Sequence, residues 1–160
     1  MPQYTLLDPI RIGSDFGQAY ELAIEGAALQ TSVNQDDFKT ITPHLFPCEA
    51  DSRLYNWLLN EGKGDSWGIF INTSLTLKEL AAHLQKLLIV TMQDDGRMVY
   101  FRFYDPRVLR TFLPTCHVTQ LKELFGPVEV FFCEDTDEDF QLHFSIENEK
   151  LKTVKLPITY

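Results

Sequence analysis

Residues 67–91, WGIFINTSLTLKELAAHLQKLLIVT, contain a buried strand, a capped helix and the beginning of a second strand in one continuous stretch. The apolar run at residues 67–72 is typical of a buried strand. Thr76, with Glu79 three residues later, forms a capping box that begins a helix. The apolar residues of this helix share one face, which predicts packing against a sheet. They are Leu77, Leu80, Ala81, Leu84, Leu87 and Leu88.

The segments before this unit predict one further strand and one further helix. Residues 20–24 alternate apolar with other side chains before Gly26, a pattern that predicts a strand with one buried face. Ser52 is placed to cap a helix that carries apolar side chains within residues 54–58 and ends near Gly62.

The segments after this unit predict a hairpin, two helices and a C-terminal meander. Asp95-Gly96, between strands at residues 89–93 and 97–104, suits the positive φ angles of a type I′ turn. Asp105 and Pro106 then begin a helix. A second helix follows at residues 120–125, and strands at 128–133, 140–146 and 150–156 form an antiparallel meander. Together these elements predict an α+β fold, in which a mixed sheet with antiparallel hairpins carries packed helices.

The composition is that of one soluble globular domain. Of the 160 residues, 44% are apolar and 23% are charged, so residues 1–160 are predicted to form a single domain. Fourteen Lys and Arg against 23 Asp and Glu give a net charge of −9, which excludes nucleic acid and anionic membranes as partners. No apolar run approaches the roughly 20 residues of a membrane span. The three cysteines fit reduced thiols, so we expect a cytoplasmic protein.

Side chains with catalytic potential are few and widely spaced. Cys116 and His117 are adjacent, but neighbouring side chains point in different directions, and no CxxC or HxxxH spacing suggests a metal. Two cysteine–histidine pairs are possible nucleophilic sites, although buried structural thiols are far commoner: Cys48 with His44, and Cys133 with His143. No nucleotide-binding, hydrolase or zinc-protease motif is present. We therefore expect no catalytic residue, no metal and no cofactor.

Acidic residues are concentrated between two of the last predicted strands. Residues 134–139 read Glu-Asp-Thr-Asp-Glu-Asp, so five of six side chains are acidic. The run is a docking surface for a basic partner, a cation site or a hydrated loop, and the hydrated loop is the commonest outcome. A calcium loop would also require a fixed ligand register with a glycine turn, which this run lacks.

The most specific string in the chain is Phe101-Arg102-Phe103-Tyr104-Asp105-Pro106-Arg107-Val108-Leu109, where the hairpin continues into a capped helix. With the Asp95-Gly96 turn before it and Phe125-Gly126-Pro127 after it, the string strongly resembles the type VI secretion effector adaptor family. That family was long catalogued as a domain of unknown function. The resemblance covers residues from about 20 to 130, so residues 131–160 form the terminal β-meander outside it.

The resemblance implies a non-catalytic adaptor or chaperone in the cytoplasm of a Gram-negative bacterium. Such proteins bind a type VI effector and help load it onto the tip of the trimeric valine-glycine-repeat spike protein, before delivery into a rival cell. The implied partners are therefore an effector protein and the C-terminal region of the spike. Many members carry a further C-terminal lobe, whereas this chain stops at Tyr160, so we expect a minimal or truncated member.

The residues of the string divide into structural and binding candidates. Phe101 and Phe103 are predicted on the core side of a strand, followed by Asp105 as the helix cap and Pro106 as the first helical residue. Arg102 lies on the opposite strand face, where it either contacts a partner or forms an internal ion pair. Amphipathic aromatic or basic side chains make up the candidate protein-binding set: Tyr55, Trp57, Tyr100, Arg102, Tyr104 and Arg107.

Two other classes of function stay open at this point. An acidic inhibitor or immunity protein would cover the basic active site of a nuclease toxin, in keeping with the net charge of −9. A cysteine-dependent hydrolase would depend on one of the three cysteines. An adaptor would co-purify with both spike and active effector, whereas an inhibitor would abolish the activity of the toxin.

Overall fold

A seven-stranded β-sheet divides the helices of this protein into two layers. The computed structural model describes residues 3–29 and 42–159. Its strands are β1 (Gln3–Leu7), β2 (Ala27–Ala28), β3 (His44–Pro47), β4 (Gly68–Asn72), β5 (Ile89–Thr91), β6 (Met98–Tyr100), β7 (Val130–Glu134), β8 (Phe140–Glu147) and β9 (Lys150–Pro157). The order across the main sheet is β2-β3-β1-β4-β7-β8-β9, and β5 pairs only with β6 among the described strands.

Every pairing between the described strands is antiparallel. The α+β class is confirmed, but the sheet is not the mixed one that the sequence predicted. The reason lies in residues 67–91, whose second strand does not return to the main sheet. β5 instead pairs antiparallel with β6, so the strand–helix–strand order of this unit produces no parallel pair.

Helices cover both faces of the main sheet. They are α1 (Pro9–Ile12), α2 (Gly17–Leu22), α3 (Arg53–Glu61), α4 (Leu77–Gln85), α5 (Pro106–Phe112) and α6 (Val118–Phe125). Ile69 and Ile71 of β4 point into a core shared with α4, α5 and α6. Phe70, between them, points to the opposite face and packs with side chains of α1, α2 and α3.

The predicted helix starts are confirmed by their caps. The Ser52 hydroxyl accepts a hydrogen bond from the Tyr55 backbone at 3.1 Å. Thr76 and Glu79 form both hydrogen bonds of the capping box, at 3.2 and 2.9 Å. Such caps satisfy backbone donors that a helix cannot pair internally, which explains why short polar motifs predict these starts well. The helix predicted at residues 120–125 begins two residues earlier, at Val118, because His117 caps it.

The strand predicted at residues 20–24 is wrong. Residues 17–22 form helix α2, and the two residues after it form a bend. Tyr20 and Ile24, predicted on a buried face, are 44% and 97% exposed, whereas Ala19 is fully buried. The alternation of apolar residues therefore does not mark a buried set, and the helical turn places Ala19 against the core instead.

The predicted hairpin is present, but its strands are shorter and its turn differs. β5 and β6 contribute three residues each, and residues 93–96 lie between the bonded residues Met92 and Arg97. Only Gly96 in this loop has a positive φ, of 68°, whereas a type I′ turn needs two such residues. Positive φ angles at two successive residues occur instead at Asn148 and Glu149, which join β8 to β9.

The C-terminal meander is confirmed, since β7, β8 and β9 pair in sequence order. β1 lies inside the sheet, between β3 and β4, although no strand is predicted there from the sequence. Across residues 3–29 and 42–159, no helix combines the length and the apolar character needed to cross a membrane.

Candidate functional site

Residues 101–104, predicted as the end of a strand, form a loop that becomes a turn at Phe103 and Tyr104. Phe103 and Tyr104 occupy this turn between β6 and α5, and both are buried, at 0% and 1% exposure. Side chains in a turn do not alternate as in a strand, so Arg102 and Tyr104 do not share a strand face opposite the phenylalanines: Arg102 is half-buried and Tyr104 is buried. Phe101 is half-buried and contacts Phe112, with ring centroids 4.7 Å apart. Both phenylalanines therefore have the predicted structural role.

Arg102 forms an internal ion pair with Asp8, at the end of β1. The Asp8 side chain is completely buried, whereas that of Arg102 is 39% exposed. The same carboxylate caps α1, because it accepts hydrogen bonds from the backbone of Ile10 and Arg11 at 2.9 and 3.4 Å. Asp8 thus joins the N-terminal strand to the string across 94 positions of sequence. The sequence left this pairing open, because the carboxylate lies far from Arg102 along the chain.

Asp105 caps α5 as predicted and also binds Arg107. Its Oδ1 atom accepts from the Arg107 backbone at 2.9 Å and from Nε at 3.0 Å, while Oδ2 accepts from Nη2 at 2.7 Å. Burial raises the pKa of Asp105, but these hydrogen bonds outweigh burial and lower it below its ordinary value. The carboxylate therefore offsets the unfavourable dipole interaction of a cation in the first helical turn. Pro106 is the first helical residue, as expected.

Tyr100 and Tyr104 differ in how far their side chains are buried. Tyr104 lies in the core, where burial is the main cause that raises its pKa above the ordinary value. It is therefore not the surface contact that the sequence suggested. Tyr100 is half-buried, and its ring meets that of Tyr104 edge to face, with centroids 6.5 Å apart.

Tyr55 and Trp57 lie on the other face of the sheet. Both are half-buried on α3, where Tyr55 contacts Phe70 at 5.4 Å and Trp57 contacts Trp67 at 4.9 Å between ring centroids. The string packs against the face that carries α4 to α6, so the sheet separates these two residues from it. The six candidate contact residues therefore do not form one surface patch. A binding role for those that reach the surface stays a prediction.

The acidic run at residues 134–139 is exposed at residues 136–139, as expected of a hydrated loop, and anchored at its start. Glu134 ends β7 and accepts hydrogen bonds from the Gly64 and Ser66 backbone at 2.9 and 2.8 Å. Two further carboxylates form ion pairs, Asp135 with Lys155 at 3.0 Å and Asp139 with Lys63 at 2.8 Å. Three of the five carboxylates thus contact the loop at residues 63–66 or β9, while residues 136–139 are exposed. Asp137 and Glu138 form no ion pair among the described residues.

The two possible cysteine–histidine pairs do not form. Cys133 faces one side of the sheet and His143 stacks on Phe132 on the other, because Cys133 is paired with Leu142 and Phe132 with His143. Cys48 lies four residues beyond His44, about 13 Å along an extended chain. Burial raises the pKa of both Cys48 and Cys133 to about 12, so these thiols stay protonated near neutral pH. Within the described ranges, no group of three or more His, Cys, Asp or Glu side chains is placed to hold a metal.

Four exposed apolar side chains lie on the β5–β6 hairpin, and none of the four is among the candidates that the sequence predicts. Val90, Met92, Met98 and Val99 are 41%, 40%, 52% and 37% exposed. Beside β5 runs a groove of about 340 Å³, whose apolar lining includes Leu87, Phe101, Phe112 and Leu124. Hereafter we call this space the hairpin groove. The sequence contains a sign of this surface: in both strands of the predicted hairpin, apolar residues occupy odd and even positions and so both faces of the strand.

Comparison with known proteins assigns the chain to a family. A family model described as "Domain of unknown function (DUF4123)" matches residues 3–123. The match begins earlier than the predicted resemblance, at β1, and so includes both Asp8 and Arg102 of the buried ion pair. No curated protein and no solved structure matches the chain. The chain therefore belongs to the DUF4123 family of domains of unknown function.

Proposed function

We propose that this protein is a non-catalytic adaptor that binds a type VI secretion effector and helps load it onto the tip of the spike protein. The observation that carries the proposal is the family match over residues 3–123, which contains the whole string at residues 101–109. This string is the one on which the resemblance to type VI effector adaptors rests. The proposal places the protein in the cytoplasm of a Gram-negative bacterium.

The surface of the protein supports a binding role. An adaptor needs an exposed apolar area with a polar rim, because burial of such an area drives association. The β5–β6 hairpin supplies four exposed apolar side chains, and the hairpin groove adds further apolar lining. Most of this surface lies inside the matched residues 3–123. It is therefore the first place to test for contact with a partner.

Co-purification tests the proposal. The tagged protein should be co-expressed with the C-terminal region of a spike protein and, separately, with effectors encoded beside it. The adaptor function predicts a stable complex in which the effector keeps its toxic activity. A complex in which the protein abolishes that activity would favour an inhibitor instead, and retention of neither partner at micromolar concentration would contradict the adaptor function.

A further inference from the structure

We propose that the edge of β5 that pairs with no described strand, together with the hairpin groove, binds an extended segment of a partner protein by strand addition. The identification of that partner as the effector rests on the proposed adaptor function, whereas the mode of binding follows from the hairpin itself. Three features support it: the direction of the backbone groups of β5, the apolar character of its unprotected edge, and two charges that face the groove.

The backbone of β5 presents hydrogen-bonding groups away from β6. Phe101 donates to the Leu88 carbonyl at 2.7 Å, and Met92 donates to the Arg97 carbonyl at 2.8 Å. In an antiparallel pair the bonded positions alternate, so the N–H and C=O groups of Ile89 and Thr91 point outward. These two residues supply the spacing that an added strand requires.

The hairpin groove runs along this edge. Ile89, Val90 and Thr91 all line it, although successive side chains of a strand point to opposite faces. Three consecutive lining residues therefore indicate that the backbone edge itself borders the groove. Gln120 and Glu123 of α6 also line it. The space between a strand edge and a helix suits one extended segment better than the two-stranded hairpin of a second copy of this chain.

The edge of β5 lacks the protection that edge strands usually have. Lysines, prolines and bulges normally prevent an edge strand from pairing with another chain. β9, at the edge of the main sheet, follows this rule, because it carries Lys150, Lys152 and Lys155. β5 is Ile-Val-Thr, with no charged residue, and its neighbour β6 is Met-Val-Tyr. An unprotected apolar edge is expected where pairing with a partner is the function.

The charged side chains of the hairpin groove indicate which charges its ligand carries. Lys86 and Glu123 line the hairpin groove and are exposed. Neither forms an ion pair within the described part of the chain. The complementary ligand is thus an extended segment with alternating apolar side chains, an acidic residue that meets Lys86 and a basic residue that meets Glu123.

A displayed library of random ten-residue peptides tests this inference with the full chain. The library should yield peptides that alternate apolar residues and carry Asp or Glu at one conserved place. Selection on Lys86→Glu should replace that acidic residue by Lys or Arg. No enrichment, or an unchanged charge preference with Lys86→Glu, would overturn the inference.

Two proline substitutions distinguish strand addition from nonspecific hydrophobic binding. Thr91→Pro removes an outward amide of β5 without removing a hydrogen bond to β6, and Thr153→Pro does the same on β9. We expect Thr91→Pro to weaken binding of the selected peptide about tenfold, the equivalent of about 1.4 kcal/mol, and Thr153→Pro to leave it unchanged. Peptide binding should also slow hydrogen exchange at the Ile89 and Thr91 amides, which a side-chain contact alone would not do.

Other results would contradict the inference. Equal binding by both proline variants with unchanged melting temperatures would exclude pairing with β5. A dimer in light scattering that dissociates with Val90→Lys would show that a second copy occupies this edge.

The two proposals can fail independently. Because the library contains no effector, failure of the peptide selection does not contradict the adaptor function. Failure of co-purification would likewise leave a positive peptide result intact.

Discussion

Replacing Arg102 with methionine should destabilise the protein, because it leaves Asp8 without its partner. Asp8 is completely buried, and loss of one partner from a buried ion pair costs about 3–5 kcal/mol. Two facts reduce that cost here: the Arg102 side chain is 39% exposed, and Asp8 keeps its hydrogen bonds from Ile10 and Arg11. We therefore expect a loss of about 2 kcal/mol in the free energy of unfolding. For a chain of this size that corresponds to a decrease of roughly 4–8 °C in Tm.

Urea denaturation tests the predicted destabilisation by Arg102→Met, with Arg97→Met as a matched control. Arg97 pairs with Asp95 at the surface, where the side chains are 71% and 54% exposed, so Arg97→Met should cost less than about 0.5 kcal/mol. A double-mutant cycle between Arg102→Met and Asp8→Asn should give a coupling free energy of about 1 kcal/mol or more. Equal urea midpoints for Arg102→Met and Arg97→Met, or a coupling near zero, would refute the reasoning.

Three further changes test the local contacts. Asp105→Ala should lower stability by about 0.5–2 kcal/mol at neutral pH, because it removes the cap of α5. The pKa of Asp105 is lowered on folding, so the wild-type carboxylate stabilises the fold above its unfolded pKa of about 3.9 and loses that contribution as pH falls through the lower folded pKa. Acid titrations of stability should therefore fall less steeply in the variant. Gly126→Ala should cost about 1–3 kcal/mol in thermal melts, because Gly126 has a φ of 48° and a Cβ there would lie 2.5 Å from the His83 ring. Glu134→Gln should cost about 1–2 kcal/mol in urea, since it weakens bonds from two backbone amides, whereas the exposed Asp137→Asn should change stability by less than about 0.5 kcal/mol.

Local signals in the sequence predicted the parts of the fold that depend on neighbouring residues. Ser52, the Thr76–Glu79 box and Asp105 each satisfy backbone donors within a few positions, so their helices were predicted correctly. The type I′ turn was assigned to Asp95-Gly96, but the backbone with two positive φ angles occurs at Asn148 and Glu149. Sequence preference for glycine at such turns is strong but not obligatory, which explains this error.

Contacts between distant residues could not be predicted in the same way. β1 pairs with β3 and β4, and these pairings depend on residues about 40 to 70 positions away. Asp8 directly follows β1, which lies between β3 and β4, and its contact with Arg102 spans 94 positions of sequence. For the same reason, the six candidate contact residues were assumed to act together, although the sheet places Tyr55 and Trp57 apart from the string.

The hairpin groove could not be predicted from the sequence either. Its lining residues come from the segment after α4, from β5, from Phe101 and from α5 and α6, which no short motif unites. The sequence did show an apolar hairpin, but not that β5 would stay outside the main sheet. Because of that separation, the outward N–H and C=O groups of Ile89 and Thr91 pair with no other described strand.

Delivery of the effector into a rival cell tests the adaptor function most directly. The gene should be deleted from the bacterium, and secretion of each type VI effector measured with the wild-type gene restored in a parallel strain. The adaptor function predicts that one effector is no longer delivered, that the others are delivered normally, and that restoring the gene restores delivery. Normal delivery of every effector after deletion, with the secretion system active, would contradict it.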